Sequence, residues 1–216
     1  MKLQNVDYSL YLVTDRGLGR GRTTLEIVTA AVQGGATVVQ LREKDCSTRD
    51  FIKQALSIKK FLKDRGVPLI INDRVDVAQA VEADGVHLGQ SDMPFEIAKN
   101  ILGDSMIIGI SAESLEDAIE AEKGGADYLG VSPIYATPTK TDTATPLGLE
   151  GLQEIRKAVG LPLVGIGGLN KDNATEVIRN GADGLAVVSA IVAADDPEAA
   201  ARELKNMIKE AEKTCA

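Results

Sequence analysis

The chain has 216 residues, 44% of them hydrophobic and 26% charged, which excludes a disordered or collagen-like polymer. Its 32 Asp and Glu outnumber 24 Lys and Arg, for a net charge of −8, and it holds no Trp and only seven Phe and Tyr. An acidic chain with so few stacking rings is not built to bind nucleic acid.

Short apolar runs alternate with longer amphipathic ones from end to end. The expected strands are Leu10–Val13, Thr37–Leu41, Pro68–Ile71, Gly85–Leu88, Met106–Ile110, Tyr128–Val131, Pro162–Gly165 and Gly184–Val187. Each is nearly continuous in apolar residues, the pattern of a parallel strand buried on both faces. Between them, the periodicity predicts helices over Thr24–Gln33, Thr48–Asp64, Ser114–Lys123, Leu149–Ala158, Lys171–Arg179 and Pro197–Glu212. Polar caps such as Thr23 and Ser114 precede these helices, and glycines such as Gly34 and Gly124 follow them.

A weak repeat runs through the chain. Gly34-Gly35-Ala36, Ala83-Asp84-Gly85, Gly124-Gly125-Ala126-Asp127 and Gly181-Ala182-Asp183-Gly184 each close a helix and lead into a strand. Eight strand–helix units in 216 residues leave about 27 residues per unit, near the compact limit of a (β/α)8 TIM barrel. The alternative, an open doubly wound sheet, lacks a Gly-x-Gly-x-x-Gly after its first strand. No linker composition divides residues 1–216, so a single α/β barrel domain is expected. No apolar run is long enough to span a membrane. The first residues lack the apolar core of a secretion signal, and two cysteines, Cys46 and Cys215, make no disulfide framework. A cytoplasmic location is the expectation, and nothing selects between a monomer and a homo-oligomer.

In such a barrel the chemistry sits on the loops that follow the strands. Those positions carry Thr14-Asp15-Arg16, Gln40 to Lys44, Asn72-Asp73, His87 with Gln90 and Asp92, Ser111, a polar loop from Ala136 to Pro146, Gly167-Gly168 and Val188-Ser189. Asp73 and Asp92 follow adjacent strands, and such a pair suits one Mg²⁺, an ion that takes one or two carboxylates together with substrate phosphate oxygens. Arg42, Lys44 and Lys140 place cations on the same rim, as a diphosphate requires. Gly167-Gly168, with Ser189 after the last strand, has the make-up of the monophosphate site formed by the final loops of many barrels. Plainer roles exist for the same residues. Asp73 and Asp92 suit helix N-caps, Ser111 a loop cap, Asn72 a turn, Gly167-Gly168 a tight corner, and Arg42 with Lys44 a solvated charge pattern. His87, the sole histidine, reads as a packing or orienting residue at a strand end.

Seven short motifs stand in one order: Tyr11-Leu12-Val13-Thr14-Asp15, Gln40-Leu41-Arg42-Glu43-Lys44, Ile71-Asn72-Asp73, Gly85 to Asp92, Gly109-Ile110-Ser111, Thr137-Pro138-Thr139-Lys140 and Gly165-Ile166-Gly167-Gly168. In this order the chain resembles the thiamine-phosphate synthase family along nearly its whole length; Ala136 departs from the family's proline. The resemblance implies a transferase that joins hydroxymethylpyrimidine diphosphate to thiazole phosphate, releasing pyrophosphate. It implies that Gln40, Leu41, Arg42, Glu43, Lys44, Asn72, Ser111 and Lys140 hold the pyrimidine diphosphate. Asp73 and Asp92 would ligate Mg²⁺, and Thr137, Pro138, Thr139, Gly168, Val188 and Ser189 would hold the thiazole phosphate. Arg42, Ser111 and Lys140 would carry catalysis, chiefly by neutralising the leaving group. Two rival readings are a thiazole tautomerase, which needs no metal–diphosphate half, and a non-catalytic barrel that binds thiamine precursors.

Overall fold

Alternate residues of each apolar run turn to opposite sides of one closed sheet. The structure, a computed structural model, describes Leu3, residues 5–137 and residues 145–215. Among the described residues the strands are β1 (Leu10–Val13), β2 (Val38–Leu41), β3 (Leu69–Asn72), β4 (Gly85–Leu88), β5 (Ile107–Ala112), β6 (Tyr128–Val131), β7 (Leu163–Ile166) and β8 (Gly184–Val187). All pairings are parallel and sequential, and β8 pairs with β1 to close the barrel. Helices α1 (Thr24–Gln33), α2 (Thr48–Lys63), α3 (Val75–Val81), α4 (Phe95–Leu102), α5 (Leu115–Gly124), α6 (Gly148–Ala158) and α7 (Ala174–Arg179) follow β1 to β7 in turn. A short α8 (Ser189–Val192) and a long α9 (Pro197–Cys215) follow β8. The expected (β/α)8 barrel is what forms. None of the described helices is long and apolar enough to cross a membrane.

The two faces of the sheet explain why the strands read as unbroken apolar runs. Tyr11, Val13, Val38, Ile70, Ile107, Tyr128, Val164 and Ala186 pack together inside the barrel. Leu10, Leu12, Val39, Leu41, Leu69, Ile71, Val86 and Leu88 pack outward beneath the helices. Both sets leave water, so neither position in the two-residue period has to be polar.

The sequence repeat has a physical role at the N-terminal end of the barrel. Asp84, just before β4, accepts the Leu69 N–H of β3 at 2.8 Å. Asp127, before β6, accepts the Ile108 N–H of β5 at 2.7 Å, and Asp183, before β8, accepts the Leu163 N–H of β7 at 2.7 Å. Thr37 Oγ1 does the same for Leu10 of β1 at 3.1 Å. Each pair of strands is therefore pinned by a side chain at its start, which satisfies a backbone donor at the edge of the ladder.

Element boundaries differ in instructive ways. Helix α1 begins as expected, with a capping box between Thr23 and Glu26. Helices α3 and α4 were not among the expected helices; they are seven and eight residues long, and neither Arg74 nor Pro94 at their starts makes a side-chain cap. Before α7, residues 171–173 form turns, so the helix begins at Ala174 and not at Lys171. Strands β3 and β5 run further than the apolar residues suggest. Asn72 pairs with His87, and Ser111 and Ala112 pair with Gly130 and Val131, so Asn72 and Ser111 belong to strands.

Candidate active site

The C-terminal ends of the strands surround a cavity of about 310 Å³. Gln40, Arg42, Lys44, Asn72, Asp73, Asp92, Ser111, Thr137, Gly168, Val188 and Ser189 all line it. Seven separate strand ends, those of β2 to β8, deliver these residues to one space, which is the functional end of a TIM barrel.

One side of the rim is charged. Lys44 Nζ lies 2.6 Å from Asp73 Oδ2, while Arg42 Nη1 lies 3.2 Å from Asp15 Oδ2. The Asp15 Oδ1 also accepts the Leu18 N–H at 3.2 Å, so a small turn fixes the carboxylate that holds the guanidinium. Asp73 has a left-handed backbone, with φ 63°, a conformation more open to Asp than to most residues with a side chain. Its N–H bonds to the His87 carbonyl at 2.9 Å. Helix α3 is preceded by Arg74 as its cap residue, so Asp73 is not its N-cap. Asp92 caps a loop instead of a helix: its Oδ2 accepts the Gly89 N–H at 2.7 Å. Burial, together with a hydrogen bond to the Asp73 carboxyl, holds the Asp92 carboxyl above the usual carboxylate range. Two crowded acids beside a lysine form a donor set short of positive charge.

The opposite side is made of backbone and hydroxyl groups. Gly168 has φ 67°, and a β-carbon there would meet the Ala136 carbonyl oxygen at 2.8 Å. The Gly167 carbonyl accepts the Tyr135 N–H at 3.1 Å, and Asn173 Nδ2 donates to the Gly168 carbonyl at 3.0 Å. The loop after β7 is thus stitched to the loop after β6. Val188 follows β8 as the cap residue of the four-residue α8, which Ser189 opens. Because α7 begins at Ala174 with Asn173 as its cap residue, Gly168 lies farther from a helix start than expected.

The floor is polar, although the strands read as apolar. Tyr11 and Tyr128 stand inside the barrel with hydroxyl oxygens 2.7 Å apart, and both are 1% exposed. Burial pushes both phenols well above their ordinary range. Gln40, His87 and Ser111 bond to this pair or to each other.

Of the other residues expected at the site, Leu41 is fully buried in the outer layer of the barrel. Glu43 turns toward Gln54, and burial raises its carboxyl. Neither residue is among those that line the cavity. Pro138, Thr139 and Lys140 lie outside the described residues. Sequence reasoning missed Tyr11, Val13, Tyr128, Val164 and Ile166 as lining residues. The available signal was a single tyrosine in each of two strands that otherwise carry no polar side chain.

Comparison with known proteins is consistent along the chain. The family profile described as thiamine monophosphate synthase matches residues 10–191. The thiamine-phosphate synthase of Chloroflexus aurantiacus is 56% identical over 203 residues, covering 94% of each chain. That of Albidiferax ferrireducens is 58% identical over 199 residues, covering 92% of this chain and 91% of its own. Among solved structures, a thiamine phosphate pyrophosphorylase from Pyrococcus furiosus superposes with a TM-score of 0.89 at 44% identity, covering 95% of this chain and 98% of that one. A 3-hexulose-6-phosphate synthase at 17% identity and TM-score 0.70 shares the fold alone. The chain belongs to the thiamine monophosphate synthase family and is a transferase of thiamine biosynthesis.

Proposed function

We propose that the chain condenses 4-amino-5-hydroxymethyl-2-methylpyrimidine diphosphate with 4-methyl-5-(2-phosphoethyl)thiazole, giving thiamine phosphate and pyrophosphate. The observation that carries this reading is the division of the rim. Two acids, a lysine and an arginine follow β2 to β4, while Gly168 and Ser189 follow β7 and β8 across the barrel. One half suits a diphosphate, and the other a monophosphate on a separate molecule.

The donor set fits Mg²⁺. Asp73 and Asp92 share a hydrogen bond, and Asp92 is already hard to ionise beside its neighbour. A cation between two such acids relieves their repulsion, and Mg²⁺ needs no third protein carboxylate when phosphate oxygens and waters complete its shell. When bound there, Mg²⁺ supplies positive charge to the departing diphosphate.

The protein's own groups do the rest by positioning and charge. Arg42, held by Asp15, and Lys44 meet the diphosphate oxygens, and Ser111 donates to one of them. The bond between the pyrimidine's methylene carbon and the diphosphate oxygen breaks first, and the electron pair leaves with the oxygen. The carbocation-like methylene is then attacked by the lone pair of the thiazole nitrogen, forming the new carbon–nitrogen bond. No protein nucleophile is required. Gln40 orients the pyrimidine, and Gly168 with Val188 and Ser189 orients the thiazole phosphate, so the methylene carbon and the thiazole nitrogen meet inside one enclosed space. The site binds small molecules, and its location in the cell is proposed to be the cytoplasm.

A coupling assay with both precursors tests the reading. Thiamine phosphate and pyrophosphate are expected in equal amounts, only with both substrates present and only with Mg²⁺ available. Turnover undiminished by excess chelator contradicts the metal, and pyrophosphate release without the thiazole partner contradicts the coupling.

A further inference from the structure

The cavity floor holds a chain of hydrogen bonds whose three middle members, Tyr11, Tyr128 and His87, have no role in the reaction above. Gln40 Nε2 on β2 lies 2.9 Å from Tyr11 Oη on β1, and Tyr11 Oη lies 2.7 Å from Tyr128 Oη on β6. Tyr128 Oη is 2.9 Å from His87 Nδ1 on β4, and His87 Nε2 is 3.0 Å from Ser111 Oγ on β5. Five strands are joined across the barrel, from one cavity-lining residue to another. Two glycines make the crossing possible. A β-carbon at Gly109 would lie 2.5 Å from the Tyr128 hydroxyl, and one at Gly130 would lie 2.9 Å from His87 Cε1.

Proton count makes the chain directional. Each phenol carries one proton, because burial opposes its ionisation, and a neutral imidazole carries one. Gln40 turns its amide nitrogen to Tyr11, so Tyr11 accepts there and donates to Tyr128. Tyr128 then donates to His87 Nδ1, which leaves the ring proton on Nε2. His87 Nε2–H donates to Ser111 Oγ, and the Ser111 hydroxyl proton is left for the cavity. With the Gln40 amide oxygen toward Tyr11, every bond would reverse and His87 Nε2 would consume the Ser111 proton.

We propose that His87 is a positioning residue, which carries the orientation of the Gln40 amide through the tyrosine pair to the Ser111 hydroxyl. The relay presents Ser111 as a donor to an anionic ligand oxygen. It also leaves the Gln40 amide oxygen to accept from an amino group on an aromatic heterocycle. A ligand with both groups, an amino-heterocycle joined to a diphosphate, sets both ends of the chain in the same sense. This rests on the reading of the cavity as a pyrimidine diphosphate site.

The chain has a single histidine, so one imidazole carries the whole signal. In ¹⁵N-histidine-labelled, ligand-free protein at about pH 8, above the ordinary imidazole range, nitrogen shifts and ring couplings identify the protonated nitrogen. The expected result is a neutral ring protonated at Nε2. A ring protonated at Nδ1, a mixture of tautomers or an imidazolium overturns the relay. Kinetics supply the second arm. His87→Leu and Ser111→Ala are each expected to lower kcat/KM for the pyrimidine diphosphate by about ten- to a hundredfold, and the double variant no further than Ser111→Ala alone. His87→Gln, whose amide nitrogen can reach the Nε2 position, is expected to recover most of the loss, and it keeps the test open if the leucine variant melts early. Additive losses in the double variant overturn the proposal. Unchanged kinetics in Ser111→Ala contradict both the site and the relay's role, whereas a Nδ1–H ring beside a defective Ser111→Ala contradicts the relay alone.

Discussion

Lys44 Nζ reaches Asp73 Oδ2 across 2.6 Å, linking the loops after β2 and β3. Half of the Lys44 side chain is exposed, so the pair adds about 1 kcal/mol or less to stability. Its importance is the charge it leaves over. Asp92 hydrogen-bonds to the same Asp73 carboxyl, and one ammonium does not balance two carboxylates.

Asp73→Asn and Asp92→Asn are each expected to lose most coupling activity, on the order of a hundredfold or more in kcat, if both acids hold the metal. Stability should move the other way for Asp92. Its folded-state pKa is raised, so the protonated form is the one that favours folding, and that contribution is lost as pH rises through the raised value. At neutral pH the ligand-free Asp92→Asn variant should therefore melt at or above the wild-type temperature. On the acid side, protons should compete with Mg²⁺ for Asp92 from a higher pH than an ordinary aspartate would dictate, so the Mg²⁺ concentration needed for activity should rise there. Thermal melts without metal, beside Mg²⁺ titrations of activity across pH, check both statements.

Arg42 and Asp15 should act as a unit. Arg42→Ala removes a charge-assisted contact worth about 1.5–3 kcal/mol, which corresponds to roughly ten- to a hundredfold in affinity for the pyrimidine diphosphate. Asp15→Asn should weaken the same binding by less, because the guanidinium at 3.2 Å loses its orientation and keeps its charge. Lys140→Ala is expected to follow Arg42→Ala. Calorimetric titration of pyrimidine diphosphate into each variant decides; unchanged binding in Arg42→Ala would return that residue to the solvated surface.

Gly168 and Ser189 separate space from chemistry on the thiazole side. Gly168→Val forces a side chain into a left-handed backbone and against the Tyr135–Ala136 segment. Its melting temperature should fall together with a rise in KM for the thiazole phosphate. Ser189→Ala removes only a hydroxyl and is expected to raise that KM several-fold, with little change in the melt. Parallel titrations of both substrates show whether the pyrimidine diphosphate KM stays put in Ser189→Ala, as expected.

At the far end of the barrel, Asp84→Ala and Asp183→Ala should lower stability without touching catalysis. Each strands a backbone N–H that the carboxylate now accepts at 2.8 Å or 2.7 Å. The loss is about 1–3 kcal/mol, or very roughly 2–4 °C of Tm per kcal/mol for a chain of this size. Unchanged KM values for both substrates, beside the lowered melt, are the expected pair.

Much of this molecule was legible before its structure. Strands buried on both faces announce themselves as aliphatic runs, and the polar residues beyond them mark the rim, which is how Asp73, Asp92, Arg42 and Ser189 were found. What stayed hidden depends on closure. Tyr11 and Tyr128 are 117 residues apart, and their contact exists only because β1 and β6 face each other inside a barrel. An apolar run also conceals where its strand stops, so Ser111 reads as the first residue beyond a strand when it lies within one. Helices α3 and α4 escaped because they are short and begin without the side-chain caps that mark a helix start.

The central claim is that the β3 and β4 side of the rim binds diphosphate through a divalent cation held by Asp73 and Asp92. Titration calorimetry of inorganic pyrophosphate into the wild-type chain, with Mg²⁺ and then with excess chelator, tests it most directly. One binding event is expected with Mg²⁺, weakened severely by chelator and equally weak in Asp73→Asn under either condition. Pyrophosphate binding of the same strength in chelator, or undiminished in Asp73→Asn, would contradict it.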